Sequence, residues 1–402
     1  MRKFRDWLTH LIGMAGQVVA ALPQVLITVF LARRGQLESA GLFAVATGLA
    51  AAAFTVASWG FVPHMVLERM RQFSASTYVL ARATAIVVVG TITLVLGLAL
   101  FPAIGLGLLL AVVVLRAADT LLELQFGFLQ IQTAADRAIL FHAGLQAGKL
   151  LLMTAVMAAS SLWPAATPDR VILIGTATAL AGAVAALLVQ YRKGMRGEAT
   201  PAGMRKLFIQ ASWFGLAVVL CAIVTNLPRL SLPYAYDGER LGVAGVALTI
   251  ATFFGMAFYT SWIRHYPRLA QEHDPSRAVA FLLELGMLAA LCAMAAVWPL
   301  PWLAAWLFAF DLDLFRDDVR AILLASVVFF AGMGLANLYK LRWRPWSEAL
   351  VYFAALIAAL ALGYALLPLG GLAPSMLLIG ALMAALSVPA LRAALVQGSG
   401  RG

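Results

Sequence analysis

The feature that most constrains this chain is a succession of twelve apolar stretches that fill its 402 residues almost from end to end. A helix rises about 1.5 Å per residue, so roughly 20 apolar residues are needed to cross a hydrocarbon core of about 30 Å. Apolar residues make up 63% of the chain and charged residues only 12%, which excludes an ordinary water-soluble domain. The sequence therefore predicts an all-α polytopic membrane protein. The predicted spans are residues 9–32, 41–64, 78–101, 105–130, 138–160, 171–191, 209–232, 241–263, 278–298, 317–339, 346–367 and 371–393.

The stretch from residue 299 to residue 318 fits two interpretations. Pro299, Pro301, Trp302 and Trp306 are typical of a short helix at the membrane surface, because tryptophan favours the headgroup level. The same apolar residues also fit an extension of a span, and the sequence leaves both interpretations open.

Basic residues fix the expected orientation, because short cytoplasmic loops retain lysine and arginine. With the twelve spans above, 19 of the 29 basic residues fall in loops on the side of the N-terminus and six on the other side. The remaining four, Arg82, Arg116, Lys149 and Arg229, lie inside spans or at their edges. Both termini are therefore expected in the cytoplasm, and the alanine-rich helices suggest a bacterial inner membrane. Residues 9–32 are expected to be a retained helix rather than a cleaved signal peptide.

The net charge of +11 is attributed to contact with anionic membrane lipids, and nucleic-acid binding is not expected. The basic residues are scattered over loops that would face anionic membrane lipids, and they form no groove-sized patch. Cys221 and Cys292 lie in apolar spans and are expected to be buried thiols without a disulfide. The histidines lack the spacing of metal ligands, so we expect no metal site. We also expect no cofactor and no catalytic residue. Asp311-Leu312-Asp313 is interpreted as part of an acidic loop.

Two halves of the chain resemble each other. Residues 1–191 and 207–402 each hold six predicted spans, and a polar, basic linker at 192–206 separates them. Pro23 precedes Gly41 by 18 residues, and Pro228 precedes Gly245 by 17. This spacing predicts parallel repeats related by a pseudo-twofold axis along the membrane normal, with a central cavity. Proline inside a span removes a backbone hydrogen bond, so Pro23 and Pro228 are candidate hinges, or else merely tolerated kinks.

Charged residues inside the fourth and fifth spans are the strongest functional signal. Arg116, Asp119 and Glu123 lie at i, i+3 and i+7 of one span, and Lys149 lies at a similar depth on the next. Ionised side chains at this depth are costly, so they usually pair or line a water-filled cavity. The alternatives are a structural ion pair between Arg116 and Asp119, or a cationic surface for an anionic substrate.

Other polar residues in the spans extend this set. Arg229 and Asn226 on the seventh span, with Gln24 on the first, are candidates for substrate binding. Snorkelling of Arg229 to the interface is the alternative.

The chain resembles the polysaccharide flippases of the multidrug/oligosaccharidyl-lipid/polysaccharide exporter superfamily. The resemblance covers nearly the whole chain, but its motifs are degenerate. It is carried by residues 31–35 and 40–44, by Trp59-Gly60-Phe61, by Arg116, Asp119, Glu123, Gln130 and Arg137, and by Asn226-Leu227-Pro228-Arg229 before Gly242 and Gly245.

This resemblance implies two six-helix bundles around a cavity that opens alternately to each side. Its implied activity moves a polyprenyl-diphosphate oligosaccharide from the cytoplasmic to the periplasmic leaflet, for the synthesis of surface polysaccharides such as O-antigen or exopolysaccharide. Implied partners are the lipid-linked oligosaccharide, membrane lipids, and polysaccharide polymerase and assembly proteins. The bound diphosphate would be held by Arg116, Lys149 and Arg229.

Two alternatives remain. Drug exporters of the superfamily typically carry an acidic residue on the first span for ion coupling, and residues 9–32 contain none, which disfavours a cation-coupled drug exporter. The candidates for coupling to protons or sodium are then Asp119, Glu123 and Glu284. A polysaccharide polymerase or ligase of the membrane is disfavoured because the largest predicted outer loop has only about 20 residues. Which glycan is carried, which ion drives transport and the oligomeric state are not determined by the sequence.

Overall fold

The computed structural model describes residues 2–59, 61, 62, 65, 72–132, 135–160, 167–192, 199–272, 275–338, 350–358, 361 and 371–396. These residues are almost entirely helical. The long helices, in chain order, are α1 (Arg2–Arg33), α2 (Leu37–Ser58), α3 (Ala75–Leu100), α4 (Leu106–Gln132), α5 (Ala135–Ala159), α6 (Pro168–Arg192), α7 (Pro201–Leu230), α8 (Gly238–Glu272), α9 (Pro275–Val297), α10 (Pro299–Phe308), α11 (Leu312–Ala336) and α12 (Leu372–Val396). A 3-10 turn, Pro102–Ile104, and one helical turn, Leu232–Ala235, complete the set, and residues 350–358 are also helical.

The prediction of an all-α polytopic membrane protein is confirmed. Each predicted span except 346–367 coincides with a long helix, and most of 346–367 lies outside the described residues. Within the described part of the chain, nine helices are long and apolar enough to cross a membrane. Apolar side chains at Val87, Leu151 and Leu283 are more than half exposed, as expected for residues that face acyl chains.

The ambiguous segment 299–318 contains a separate short helix. α10 has ten residues, so it extends about 15 Å and cannot cross a bilayer. Trp298, Trp302 and Trp306 are 73%, 56% and 69% exposed and follow one another at intervals of four residues, along one side of the helix. Arg33 at the end of α1 donates from Nε and Nη2 to the carbonyl oxygens of Leu307 and Trp306, at 2.9 and 3.2 Å. The carbonyls at the end of a helix need such partners.

The contacts divide the chain into two compact units. Unit 1 comprises residues 1–30 and 46–222, and unit 2 comprises residues 31–45 and 223–402. α7 therefore begins in unit 1 and ends in unit 2, and the first turns of α2 belong to unit 2. The division predicted at residues 192–206, the pseudo-twofold axis and the central cavity stay predictions.

The interior of unit 1 is built by α4 packing along α6 and by a cluster of aromatic and aliphatic side chains. Phe61, Tyr78, Phe128 and Leu207 are at most 1% exposed within that cluster. The rings of Phe61 and Phe208 meet edge to face, with centroids 4.9 Å apart. These contacts hold the end of α2 against α7 and α4, which sets the position of the charged residues described below.

Glycine contacts organise unit 2. Gly242 of α8 lies so close to α2 that a Cβ on it would be 2.2 Å from the carbonyl oxygen of Leu37. A Cβ on Gly245 would lie 2.8 Å from the Cα of Gly41, which is its counterpart in the proposed repeat. α11 and α12 approach in the same way through Gly332 and Gly380. Small residues let helix backbones pack this closely in a membrane, where dispersion contacts replace the hydrophobic driving force.

Candidate functional site

The charged residues of α4 and α5 meet in unit 1. Lys149 is 2% exposed, and its Nζ donates directly to Oδ1 of Asp119. Arg116 Nη1 lies 3.7 Å from the other oxygen of the same carboxylate. Asp119 therefore faces two cations. Arg116 is the partner named in one of the two alternatives above, and Lys149 is a closer partner that the sequence did not predict.

Gln24 of α1 joins this cluster. With its amide oxygen turned toward α4, Gln24 accepts from Nη2 and Nη1 of Arg116 at 3.0 and 3.3 Å. Arg116 Nε is buried and has no hydrogen-bond partner within the part of the chain that the structure describes. The guanidinium of Arg116 thus retains a donor that a bound anion would satisfy.

A second ion pair lies beside the first and includes a residue that sequence analysis left without a role. Arg82 of α3 is fully buried, and its Nη2 donates to Oε2 of Glu123 at 2.5 Å. Ser58 at the end of α2 donates to the same oxygen at 2.9 Å. The depth of Arg82 inside a span was a signal for such a partner, because a buried guanidinium needs a countercharge.

α5 contributes two further polar groups that the sequence analysis missed, His142 and Gln146. His142, Gln146 and Lys149 lie at i, i+4 and i+7, which places them on one face of α5. His142 and Gln146 contact each other at 3.4 Å, and the imidazole packs against the ring of Phe126 with centroids 4.6 Å apart. Among described residues, His142 Nδ1 and Gln146 Oε1 are buried without partners. Lys149 pairs with Asp119, so this face of α5 and the charged stripe of α4 form one polar cluster.

The other predicted binding residues, Asn226 and Arg229, lie in unit 2 near the end of α7. Both are buried, at 7% exposure, and Arg229 Nη2 donates to the hydroxyl of Thr252 on α8 at 3.3 Å. Burial favours a place inside the protein over snorkelling to the interface. Pro23 and Pro228 lie inside α1 and α7, as the sequence requires, and their role as hinges stays a prediction.

The third carboxylate proposed for ion coupling, Glu284 of α9, forms a pair of its own in unit 2. His265 Nε2 of α8 lies 2.8 Å from Oε2 of Glu284, and both side chains are largely buried. The imidazole also contacts the ring of Phe281, with centroids 5.6 Å apart.

The structure thus brings Gln24, Arg116, Asp119, Glu123 and Lys149 into unit 1, whereas Asn226, Arg229 and Glu284 belong to unit 2. In the described residues, no group of three or more histidine, cysteine, aspartate or glutamate side chains could hold a metal ion. Arg116 and Lys149 can form ion pairs with an anion and donate hydrogen bonds to it.

Comparison with known proteins finds the same fold in transporters. A MATE structure in complex with MaL6 gives a TM-score of 0.61 at 14% identity, covering 97% of this chain and 94% of that chain. An inward-facing multidrug resistance MATE transporter of the MOP superfamily gives 0.58 at 14% identity, covering 97% and 93%. A MOP superfamily transporter from Pyrococcus furiosus, described as having a binding pocket of reverse polarity, gives 0.55 at 14% identity, covering 97% and 93%.

No protein-family model and no curated protein matches the chain. The structural matches nevertheless span both chains almost completely, so this chain has the fold of the MATE transporters. The resemblance found in the sequence is confirmed at the level of that fold, and the polysaccharide flippase assignment stays a prediction.

Proposed function

We propose that this protein is a transporter that moves a lipid-linked oligosaccharide with a diphosphate headgroup by alternating access. The direction is from the cytoplasmic to the outer leaflet of a bacterial inner membrane. The fold supports transport, since solved proteins of this fold are transporters captured in inward-facing and outward-facing conformations.

The charge of the unit 1 cluster carries the proposal for an anionic cargo. Arg116 and Lys149 bring two positive charges to the single negative charge of Asp119, while Arg82 and Glu123 balance each other. The cluster therefore has a net positive charge in a region where uncompensated charge is costly. A diphosphate would supply the missing negative charge and accept from Arg116 Nε.

The cluster also offers groups for a sugar. The partnerless atoms of His142 and Gln146 can donate to and accept from hydroxyl groups, since the imidazole nitrogen takes either role. The basic and polar groups of the unit 1 cluster suit a cargo with a diphosphate and hydroxyl groups better than they suit a lipophilic cation.

A cation-coupled exporter of small molecules is the second candidate function. It is favoured by the multidrug MATE transporters that share the fold and by the carboxylates Asp119, Glu123 and Glu284. It is disfavoured because all three carboxylates lie within 4 Å of a basic side chain, and because residues 9–32 contain no acidic residue.

The test is translocation in proteoliposomes, with a fluorescent polyprenyl-diphosphate oligosaccharide as one cargo and a lipophilic cationic dye as the other. We expect translocation of the diphosphate lipid and no transport of the dye. In the Arg116→Ala/Lys149→Ala variant, translocation should fall at least tenfold, because the variant removes both cations and leaves Asp119 unpaired.

The matched control is Arg240→Ala. Arg240 is an exposed arginine paired with Asp318 in unit 2, and its loss should leave translocation unchanged. Dye transport without lipid translocation would reject the proposal in favour of the exporter. Wild-type rates in the double variant, at equal membrane level, would reject the assignment of Arg116 and Lys149.

A further inference from the structure

The short helix α10 packs on unit 2 through one face and exposes a row of tryptophans on another. Ala304 and Phe308 are fully buried on the first face. Trp298, Trp302 and Trp306, each more than half exposed, form the second. A tryptophan combines a large apolar ring with one N–H donor, so it is more stable at the headgroup level of a bilayer than in water or in hydrocarbon. The exposed face of α10 therefore suits contact with lipid headgroups.

Two arginines lie directly over these tryptophan rings. The guanidinium carbon of Arg316, on α11, is 5.7 Å from the ring centroid of Trp302. The guanidinium carbon of Arg33, at the end of α1 and part of unit 2, is 5.9 Å from the ring centroid of Trp306. A guanidinium over an aromatic ring is attracted by the ring quadrupole, which orders both side chains.

A third arginine lies at the other end of α10. Arg320 donates from Nε to the carbonyl oxygen of Val297, the residue before Trp298, at 2.8 Å. Arg320 thus lies where α10 begins and Arg33 where it ends, and α10 is about 15 Å long. We call Arg33, Arg316 and Arg320 the arginine row.

The charge of the arginine row is only partly neutralised by the protein. Arg33 and Arg320 donate to backbone carbonyls, which do not cancel a positive charge. Arg316 pairs with Asp313, but that carboxylate is 85% exposed, and exposed pairs are weak. In the part of the chain that the structure describes, the exposed carboxylates of Asp311 and Asp317 form no ion pair with the row. An anion could therefore bind here.

Arg316 also retains a donor for such an anion. Its Nη2 donates to Asp313, whereas its Nε is buried and has no hydrogen-bond partner among the described residues. The side chain as a whole is 35% exposed, so the edge of the guanidinium can be reached from the lipid. That edge is a planar fork of N–H groups, which matches two oxygens of a phosphate.

We propose that α10 and the arginine row form a docking site for an anionic phospholipid, such as phosphatidylglycerol. The arginines bind the phosphate, the indole rings pack against the glycerol and the upper acyl chains, and the indole N–H groups donate to ester oxygens. A zwitterionic phospholipid has the same phosphate but also a cationic group, which the arginine row repels. Anionic lipid is therefore preferred.

A second copy of this chain suits the surface less well. A twofold contact through α10 would use the same patch on both copies and bring the two arginine rows close together. Like charges in an interface oppose association. The site belongs to unit 2 and does not involve the unit 1 cluster, so it does not depend on the identity of the cargo.

The experiment compares two vesicle preparations that have the same overall charge and differ only in which lipid is brominated. Both contain a minor fraction of phosphatidylglycerol in phosphatidylcholine. In one the phosphatidylglycerol is brominated, and in the other an equal amount of phosphatidylcholine is brominated at the same acyl position. The fluorescence of Trp302 and Trp306 is obtained as the difference between the wild type and Trp302→Phe/Trp306→Phe. Each arginine contributes about a fivefold preference for anionic lipid, so brominated phosphatidylglycerol should quench this fluorescence much more strongly.

The matched variants are Arg316→Gln and Arg240→Gln. Arg240 is also an arginine over an aromatic ring, that of Tyr236, and is also paired with an aspartate of α11, Asp318. Both variants lower the net charge equally. Arg240 gives both Nε and Nη2 to Asp318, at 3.0 and 3.2 Å, so it offers less to a lipid. We expect the preference for phosphatidylglycerol to fall about fivefold in Arg316→Gln and to stay unchanged in Arg240→Gln.

The wild-type comparison decides the proposal even if Arg316→Gln folds poorly. Equal quenching by the two brominated lipids in the wild type would overturn it. An equal loss of preference in the two variants would also overturn it, because overall surface charge would then explain the binding. If neither lipid quenched Trp302 and Trp306 and the protein had the mass of a dimer, a second copy would cover α10 instead. Translocation of the diphosphate lipid is measured separately, so its failure would count against the proposed cargo and not against this site.

Discussion

Gly242→Ala should loosen the contact between the beginnings of α2 and α8. The added Cβ would lie 2.2 Å from the carbonyl oxygen of Leu37 and 2.5 Å from its carbonyl carbon. Real Cβ atoms essentially never approach closer than 3.0 Å, so the backbones must separate by at least 0.8 Å, the difference between 3.0 and 2.2 Å. The obstacle is backbone rather than a flexible side chain, so no rotamer change relieves it.

The change in stability caused by Gly242→Ala is the difference between the cost of overpacking and the gain in helix propensity. Overpacking of this kind costs about 1–3 kcal/mol, and more where backbone must move. Alanine in place of glycine in a helix recovers up to about 1 kcal/mol. The net destabilisation is about 1–2 kcal/mol, which is a factor of about 5–30 in the local opening equilibrium.

Hydrogen exchange of the peptides covering residues 37–47 measures this opening directly. The matched control is Gly286→Ala in α9, where a Cβ meets nothing within 4 Å and helix propensity alone predicts slight stabilisation. We therefore expect faster exchange at α2 for Gly242→Ala and no change at α2 for Gly286→Ala. Equal exchange in the two variants would show that the α2–α8 contact is not as close as described.

Two further predictions follow from charge and from exposure. Asp119→Ala should lower the midpoint of thermal unfolding more than Lys149→Ala does. The reason is that Asp119→Ala leaves the ammonium of Lys149, a side chain only 2% exposed, without its countercharge, at a cost of about 3–5 kcal/mol. An equal fall of the midpoint in both variants would contradict this prediction. Trp302 and Trp306 should be quenched by brominated lipids labelled near the headgroup and much less by lipids labelled at the acyl end, compared with a Trp302→Phe/Trp306→Phe control. Stronger quenching from the acyl end would place α10 in the hydrocarbon core instead of at the interface.

The spans could be predicted from the sequence because they depend only on length and local apolarity. The predicted and observed helices agree for ten consecutive spans from 9–32 to 317–339, and again for 371–393. The short helix α10 could not be assigned, because its residues suit both an interface and a span. The structure shows that α9 ends at Val297 and that α10 begins as a separate helix at Pro299. Arg320 donates to the carbonyl oxygen of Val297 at this helix end.

The candidate site was predicted in part. Spacing along one helix placed Arg116, Asp119 and Glu123 on one stripe, since helix geometry is local. Partners on different helices could not be predicted, which is why Lys149 rather than Arg116 is the closer partner of Asp119. Arg82 is 41 residues from Glu123 in the chain, and nothing in the spacing of the sequence connects them.

The sequence by itself determined that this chain is a polytopic membrane protein, roughly where its long helices lie, and which charged residues fall within apolar segments. Those properties follow from the cost of exposing polar groups to hydrocarbon, which acts residue by residue. Only the tertiary structure decided which charges neutralise one another, that Gly41 and Gly245 touch, and that Arg82 connects α4 with the end of α2. These contacts depend on how the helices pack, and packing is set by the fit of whole helix surfaces rather than by any local pattern.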